Sequence, residues 1–245
     1  MLSIKSKTKF EIIKKPKLNK KNICFILAIL VGLIFSFILG MIVHCKFDET
    51  FDDIDLQSKV GEHYDSNRKY TKAFKWYMKA AKRGDPMAQN NLGVLYNEGT
   101  GTKMDYKKAI KWYTKAAQQG YVLAAHNLGR LFEIEGSLQD YTKAVKWYKI
   151  AVGKGLSLSQ NNLGLKYQFG QGIQQDCNKA LELYQLAEKE GLSSAQYNIG
   201  MLYEEGCGDV QKNYAAAIKW YKKAANNGML EAKEKLKELY NNSHD

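Results

Sequence analysis

The side chains most often used in catalysis are few and scattered in this 245-residue sequence. The four histidines are His44, His63, His126 and His244. None of them shares with a cysteine the short spacing that binds zinc. Glycine-rich turns such as Gly99-Thr100-Gly101 follow a helical pattern rather than a strand, so they lack the context of a phosphate-binding loop. The sequence therefore predicts no catalytic, metal-binding or cofactor-binding residue.

Amide side chains, in contrast, recur at a regular spacing. Four asparagines stand two residues before a glycine, at Asn91, Asn127, Asn162 and Asn198. Other polar side chains lie beside them, at Gln89, His126, Gln160 and Gln196. An amide both donates and accepts hydrogen bonds, so this series is the strongest candidate for a binding role.

The amides belong to a longer pattern that repeats about every 36 residues. Its first glycine recurs at Gly61, Gly93, Gly129, Gly164 and Gly200. A tryptophan follows at Trp76, Trp112, Trp147 and Trp220, with Leu183 in the fourth unit. A second glycine closes each unit, at Gly84, Gly120, Gly155, Gly191 and Gly228. Periods of this length indicate a solenoid whose units bury their apolar faces against one another.

The second unit shows how each repeat is built. Leu92, Leu95 and Tyr96 are spaced i, i+3, i+4, which places them on one face of a first helix. Ala109, Tyr113, Ala116 and Ala117 form the matching face of a second helix. Asp105 is predicted to cap the start of that second helix and Gly120 to end it in a left-handed conformation. Each unit is therefore predicted to be a helix hairpin.

The motif Asn-Leu-Gly-x-Leu-Tyr, followed by Lys-Ala-x-x-Trp-Tyr-x-Lys-Ala-Ala and a closing glycine, resembles the Sel1-like repeat family, relatives of the tetratricopeptide repeat. The resemblance implies an all-α protein, a right-handed solenoid of five hairpins between residues 56 and 230. The predicted units are 56–87, 88–123, 124–158, 159–194 and 195–230, and residues 231–245 are predicted to form a capping helix and tail. The tryptophans and tyrosines of the second helices are interpreted as core residues.

The resemblance also implies a role for the amides, because asparagines of the first helix line the concave groove in tetratricopeptide relatives and bind peptide there. The implied groove residues are Gln89, Asn91, His126, Asn127, Gln160, Asn162, Gln196 and Asn198. The alternative is that each asparagine bonds its neighbouring repeat, and the sequence leaves both interpretations open. An unpaired buried amide would be costly in either case.

Two of the four cysteines could form a disulfide. Cys24 lies in an apolar run and Cys45 at its edge, whereas Cys177 and Cys207 fall in the fourth and fifth units. These last two positions could be neighbours in a stack of hairpins. Pairing Cys177 with Cys207 requires a Cα separation near 5–6 Å, which the sequence alone does not establish.

The segment 23–43 is a run of 21 residues without a charge. About 20 apolar residues in a helix span the ~30 Å hydrocarbon core of a bilayer. A basic tail at 1–22 precedes the run and an acidic linker at 44–55 follows it, which predicts a cytoplasmic N-terminus. We therefore expect a single-pass membrane protein whose repeats lie outside the cytoplasm, in the periplasm if the protein is bacterial. A cleaved secretory signal is the alternative, but such signals have a shorter apolar core and a small-x-small cleavage site.

The formal net charge of +12 is compatible with acidic partners, although surface lysines mostly keep a protein soluble. Nucleic acid is not expected as a partner, because lysines and aromatics that alternate along a helix point to different faces. The function expected from the resemblance is a membrane-anchored scaffold that binds a partner protein or peptide in its groove. The alternative is an enzyme-like secreted or periplasmic protein acting on cell-wall or β-lactam compounds.

Overall fold

A computed structural model describes residues 53–134 and 139–241, which form eleven α-helices. The helices are α1 Ile54–Ser66, α2 Tyr70–Lys82, α3 Pro86–Glu98, α4 Tyr106–Gln118, α5 Val122–Leu131, α6 Tyr141–Val152, α7 Ser157–Phe169, α8 Cys177–Lys189, α9 Ser193–Glu205, α10 Tyr214–Asn226 and α11 Leu230–Asn241. Among the described residues, extended pairing is limited to one isolated bridge between Cys207 and Val210.

Consecutive helices pack against one another along the whole described chain. The tightest pairs are α1 with α2, α3 with α4, α5 with α6, α7 with α8, and α9 with α10. Each second helix then packs on the first helix of the next hairpin, and α10 packs on α11. We call α1, α3, α5, α7 and α9 the first helices, and α2, α4, α6, α8 and α10 the second helices. The predicted all-α solenoid of helix hairpins is confirmed.

Aspartate caps mark where these second helices begin, and a glycine marks where α4 ends. The Asp105 carboxylate accepts a hydrogen bond from the backbone N–H of Lys108, 3.0 Å away, and so caps α4 as predicted. Asp140 and Asp176 cap α6 and α8 in the same way. Gly120, just after α4, has a φ of +84°, the left-handed conformation that was predicted there.

The core of each hairpin is a tyrosine ring that lies against a glycine. Tyr77, Tyr113, Tyr148, Tyr184 and Tyr221 are at most 2% exposed. A Cβ atom added at Gly93 would lie 2.6 Å from the ring of Tyr113, and the other four pairs are equally close. The recurring glycine therefore makes room for the ring where the two helices meet. The tryptophans of the second helices are only half-buried, which corrects their assignment as core residues.

Helices α1 and α11 form the two ends of the repeat array. Helix α1 begins at Ile54, with Asp53 as its N-cap, so the structure places the end of the predicted linker 44–55 in the first helix. The closing helix α11 buries Ala232 against Ala224 and Ala225 of α10. Leu230 and Tyr240, at the two ends of this helix, are 66% and 46% exposed.

The predicted localisation as a single-pass membrane protein is corrected. No helix among the described residues combines the length and apolar character that a membrane crossing requires. The longest of these helices have 13 residues, which at 1.5 Å per residue gives about 20 Å, short of the ~30 Å hydrocarbon core. The predicted span 23–43 and the basic tail 1–22 lie outside the described residues.

Candidate functional site

The glutamines predicted to line a groove are buried between neighbouring helices. Gln89 donates from Nε2 to the carbonyl oxygen of Ala81, 3.1 Å away, and accepts from Gln119 at 2.8 Å. Gln196 occupies the equivalent place in α9 and accepts from Asn227 at 2.9 Å. Gln160 is also buried, but its Oε1 atom has no hydrogen-bond partner among the described residues. In the first two cases the amide joins the ends of successive second helices.

Three of the four predicted asparagines form a second set of bonds between hairpins. Asn127 donates to Asn90 of the preceding hairpin at 3.0 Å, and Asn198 donates to Asn161 in the same way at 2.8 Å. Asn162 donates to the hydroxyl of Tyr148, 3.1 Å away in the hairpin before it. Asn91 accepts a bond from its neighbour Asn90 at 3.1 Å.

The buried tyrosine hydroxyls have a further set of partners that sequence reasoning missed. Tyr221 donates to a carboxylate oxygen of Glu204 at 2.6 Å, and Tyr184 donates to Gln168 at 2.7 Å. Tyr77 lies 3.4 Å from the carboxylate of Asp65. Each of these partners stands four residues after the first glycine of its repeat, so the signal was present in the sequence as a recurring polar position. Burial raises the pKa of these tyrosines well above its ordinary value.

His126 is buried rather than exposed in a groove. Its Nδ1 atom is hydrogen-bonded to Ser159 Oγ in the next hairpin, 2.8 Å away, and its ring lies beside that of Tyr148. Burial, with the positive charge of Arg130 as a smaller cause, lowers the pKa of His126 to about 4. The side chain is therefore neutral near pH 7 and acts as an uncharged bridge between hairpins.

Most of the predicted groove residues thus make hydrogen bonds inside the chain, as in the alternative interpretation. Seven of them bond another side chain or backbone group: Gln89, Asn91, His126, Asn127, Asn162, Gln196 and Asn198. Such bonds satisfy amides that would otherwise be buried at a cost. A role for any of the eight in partner binding stays a prediction.

The structure brings Cys177 and Cys207 together as a disulfide. Their Cα atoms lie 5.7 Å apart, within the usual range for such a bond. Cys177 is the first residue of α8, and Cys207 lies in the loop between α9 and α10. The bond therefore joins the fourth hairpin to the fifth.

The solvent-facing side of the first helices carries apolar side chains. We define the first-helix face as the residues of these helices spaced i, i+4, i+7, i+11, which share one stripe of a helix. Its apolar members, none of them fully buried, are Met87, Val94, Leu123, Leu158, Leu165, Phe169 and Met201. Leu123 and Leu158 are each 43% exposed and Phe169 is 53% exposed. In α1 the same stripe is polar, so the apolar part begins at α3.

Groupings suited to metal chemistry are absent from the described ranges. In residues 53–134 and 139–241, no three His, Cys, Asp or Glu side chains are grouped so that they could hold a metal ion. His126, the one histidine with a resolved pKa shift there, faces Ser159 and a tyrosine ring rather than an acid.

Comparison with known proteins agrees with the hairpin architecture. The profile of the Sel1 repeat matches five segments, at 57–85, 86–121, 122–156, 157–192 and 193–229. The chain belongs to the Sel1 repeat family. These segments lie close to the five predicted units, and they include every first and second helix except for residues 54–56 at the start of α1.

Solved structures of Sel1 repeat proteins are similar to this one. The crystal structure of a Sel1 repeat protein from Oxalobacter formigenes is 33% identical, covers 79% of this chain and 80% of its own, and superposes with a TM-score of 0.67. A structure described as a sel1 repeat protein from Klebsiella pneumoniae is 24% identical, covers 77% and 93%, and gives 0.52. The second likeness concerns the fold alone. No curated protein shows significant similarity to the chain.

Membership of the family defines the general class of activity. Sel1 repeats generally mediate protein–protein interaction, and Sel1 repeat scaffolds are generally non-enzymatic. Among the described residues, the first-helix face combines exposed apolar side chains with recurring amides.

Proposed function

We propose that this Sel1 repeat protein is a scaffold that binds a partner protein along its first-helix face, from α3 to α9. The observation that carries the proposal is the exposure of Leu123, Leu158 and Phe169 on that face. Contiguous exposed apolar side chains bordered by polar groups are typical of protein interaction sites. The same stripe also carries charged residues, Glu98 in α3 and Arg130 in α5, which lie among the apolar side chains and would pair with polar groups of the partner.

The amide network supports the proposal in a different way from the one first expected. Bonds such as Asn127 to Asn90 and Asn198 to Asn161 tie neighbouring first helices together. A surface held in one geometry before binding loses less conformational entropy when the partner docks. The main role of the amides would then be to hold the apolar side chains in position, and direct contact with the partner would be secondary.

The chain offers a matched control for a test of this proposal. Ile150 and Leu186 lie on second helices and are each 43% exposed, the same fraction as Leu123 and Leu158. Glutamine suits both sites because it has good helix propensity and no charge. The double variant Leu123→Gln/Leu158→Gln is therefore compared with Ile150→Gln/Leu186→Gln.

The partner is first identified by photocrosslinking in native cells, from benzoylphenylalanine placed at Leu158 or at Leu186. We expect a specific adduct from position 158 and none from 186. With the purified partner, Leu123→Gln/Leu158→Gln should weaken binding by about tenfold or more, since buried apolar anchors dominate such interfaces. Equal weakening by both double variants, or weakening by the second-helix pair alone, would contradict the proposal.

A further inference from the structure

The second helices carry a concentration of positive charge that the first-helix face does not share. Helices α2, α4 and α6 together contain eleven lysines and no acidic residue. The eleven are Lys72, Lys75, Lys79, Lys82, Lys107, Lys108, Lys111, Lys115, Lys143, Lys146 and Lys149. In α8 the pattern changes, because Glu182 and Glu188 appear there. The uninterrupted basic surface therefore covers the second helices of the first three hairpins, and α10 again contains three lysines and no acidic residue.

Some of these lysines have structural contacts inside the chain. Lys108 and Lys143 form ion pairs with the capping carboxylates of Asp105 and Asp140, at 3.2 and 2.9 Å. Lys115 lies over the ring of Trp112, 4.9 Å from its centroid, and Lys79 lies over Trp76 in the same way. These contacts account for lysines at the third and tenth positions of the helices.

A second group of lysines has no such partner among residues 53–134 and 139–241. Lys75, Lys111 and Lys146 occupy the sixth position of α2, α4 and α6, and all three are exposed. We call these three residues the outer lysine row. Each is flanked by a further exposed lysine without an ion pair in the described ranges, namely Lys82, Lys107 and Lys149. The outer lysine row lies on second helices, whereas the first-helix face lies on first helices.

The arrangement has a cost in the isolated protein. Lys75 with Lys79, Lys107 with Lys111, and Lys111 with Lys115 are like-charge pairs at i, i+4. Each such pair destabilises a helix by roughly 0.2–0.5 kcal/mol. The same chain places an acid at i, i+4 elsewhere, where Lys59 pairs with Asp55 at 2.6 Å. A ligand with negative charges would relieve the repulsion in α2 and α4.

We propose that the outer lysine row is a second interaction surface, which binds an acidic polypeptide segment of a partner protein. Charge complementarity attracts the partner and orients it. Solvent-exposed charges of this kind act mainly on the association rate. The chain would then be a two-sided scaffold, with one protein on its first-helix face and an acidic segment on its second helices.

The chemistry of the row favours an acidic polypeptide over nucleic acid. The second helices contain no arginine, the side chain that binds phosphate groups through two parallel hydrogen bonds. Trp76 and Trp112 are half-buried beneath lysines, so they present no open ring for base stacking. Lysine is a flexible point charge, which suits carboxylates at variable spacing.

The test uses a fluorescein-labelled peptide of ten glutamates as the probe, with a neutral Gly-Ser peptide and a ten-nucleotide single-stranded RNA for comparison. The full chain is used with its eight lysines in residues 1–21 replaced by serine, so that the basic tail does not compete. We expect fluorescence anisotropy to show binding of the glutamate peptide that weakens as salt rises.

Two charge-reversal variants separate the outer lysine row from net charge. Lys75→Glu/Lys111→Glu/Lys146→Glu should weaken binding of the glutamate peptide by about tenfold or more. Lys103→Glu/Lys154→Glu/Lys212→Glu changes the net charge equally at exposed loop lysines and should have an effect below about threefold. The neutral variant Lys75→Gln/Lys111→Gln/Lys146→Gln should weaken binding of the glutamate peptide by an intermediate factor. Circular dichroism and unfolding midpoints verify that every variant folds.

Several outcomes would overturn the proposal. Equal loss of peptide binding in the variant of the outer lysine row and in the loop-lysine variant would show that net charge alone attracts the peptide. Tighter binding of RNA than of the glutamate peptide, lost in the row variant, would assign the row to nucleic acid. Absence of peptide binding at ~150 mM salt would exclude the site. None of these results bears on the first-helix face, whose residues are unchanged in all the variants.

Discussion

Single polar side chains link each hairpin to the next. Tyr148 illustrates the arrangement, because its ring fills the space beside Gly129 while its hydroxyl accepts a bond from Asn162. His126 contributes in the same region through its bond to Ser159. A buried polar group of this kind stabilises the fold only while its hydrogen-bond partner is present and the group itself stays uncharged.

The pKa of His126 leads to a pH-dependent stability. Its folded-state pKa is about 4, against an ordinary value of 6.5. Between these values the unfolded chain binds a proton that the folded chain does not, so stability is present above pH 6.5 and falls as the pH is lowered towards 4. We expect a loss on the order of 1–2 kcal/mol between pH 7 and 4.5, measured by urea unfolding.

The control for this prediction is His126→Asn, because Asn90 and Asn161 occupy the equivalent position in α3 and α7. All other titrating groups are common to both proteins. The difference in unfolding free energy between wild type and variant should therefore shrink or change sign as the pH falls. A difference that is constant from pH 7 to 4.5 would refute the assignment.

The hairpin as an element depends on the close contact between a glycine and a tyrosine. Gly93→Ala would place a Cβ atom 2.6 Å from the ring of Tyr113, which is fully enclosed. Overpacking of this kind costs roughly 1–3 kcal/mol. We expect the variant to lose that much unfolding free energy in urea, with α3 and α4 most affected.

Gly153→Ala is the matched control for Gly93→Ala. Gly153 follows α6 with a φ of −60°, and an added Cβ atom would have its nearest neighbours at 3.5 Å, an ordinary contact. Alanine also has the better helix propensity, so this variant should be within about 0.5 kcal/mol of wild type or more stable. If both variants lost the same stability, tight packing at Gly93 could not be the cause.

Periodicity predicted the elements well because the signals for them are local. Leu92, Leu95 and Gly93 lie within one helix, and their spacing is enough to define its buried side. The role of the amides could not be predicted in this way, since Asn127 bonds a residue 37 positions away in the sequence. The partners of the tyrosine hydroxyls occupy a recurring polar position, but no single residue type marks it. Their side chains differ from repeat to repeat, as in Asp65, Gln168 and Glu204.

For the molecule as a whole, packing between immediate neighbours means that stability is local. Each hairpin of the solenoid contacts mainly the hairpins before and after it, as expected for a repeat array. The disulfide between Cys177 and Cys207 adds a covalent tie to this pattern, and it acts on the fourth and fifth hairpins alone.

Replacing both cysteines, as Cys177→Ser/Cys207→Ser, should therefore destabilise one end of the array. A disulfide that closes a loop of this size contributes about 2–4 kcal/mol. We expect amide hydrogen exchange to become faster in α8 to α10 and to stay unchanged in α1 to α4. Cys24→Ser/Cys45→Ser, which removes the other two thiols, serves as the control. Faster exchange along the entire array would show that the hairpins unfold as one unit.

The loop between α3 and α4 rests on the preceding hairpin. An added Cβ atom at Gly101 would lie 2.5 Å from the backbone of Tyr70, at the start of α2, and Gly172 lies against Tyr141 in the same manner. The first and second hairpins therefore meet through the same kind of junction as the third and fourth. A tandem duplication of a segment such as 86–121 would reproduce that junction, so evolution could lengthen the array without inventing a new packing arrangement.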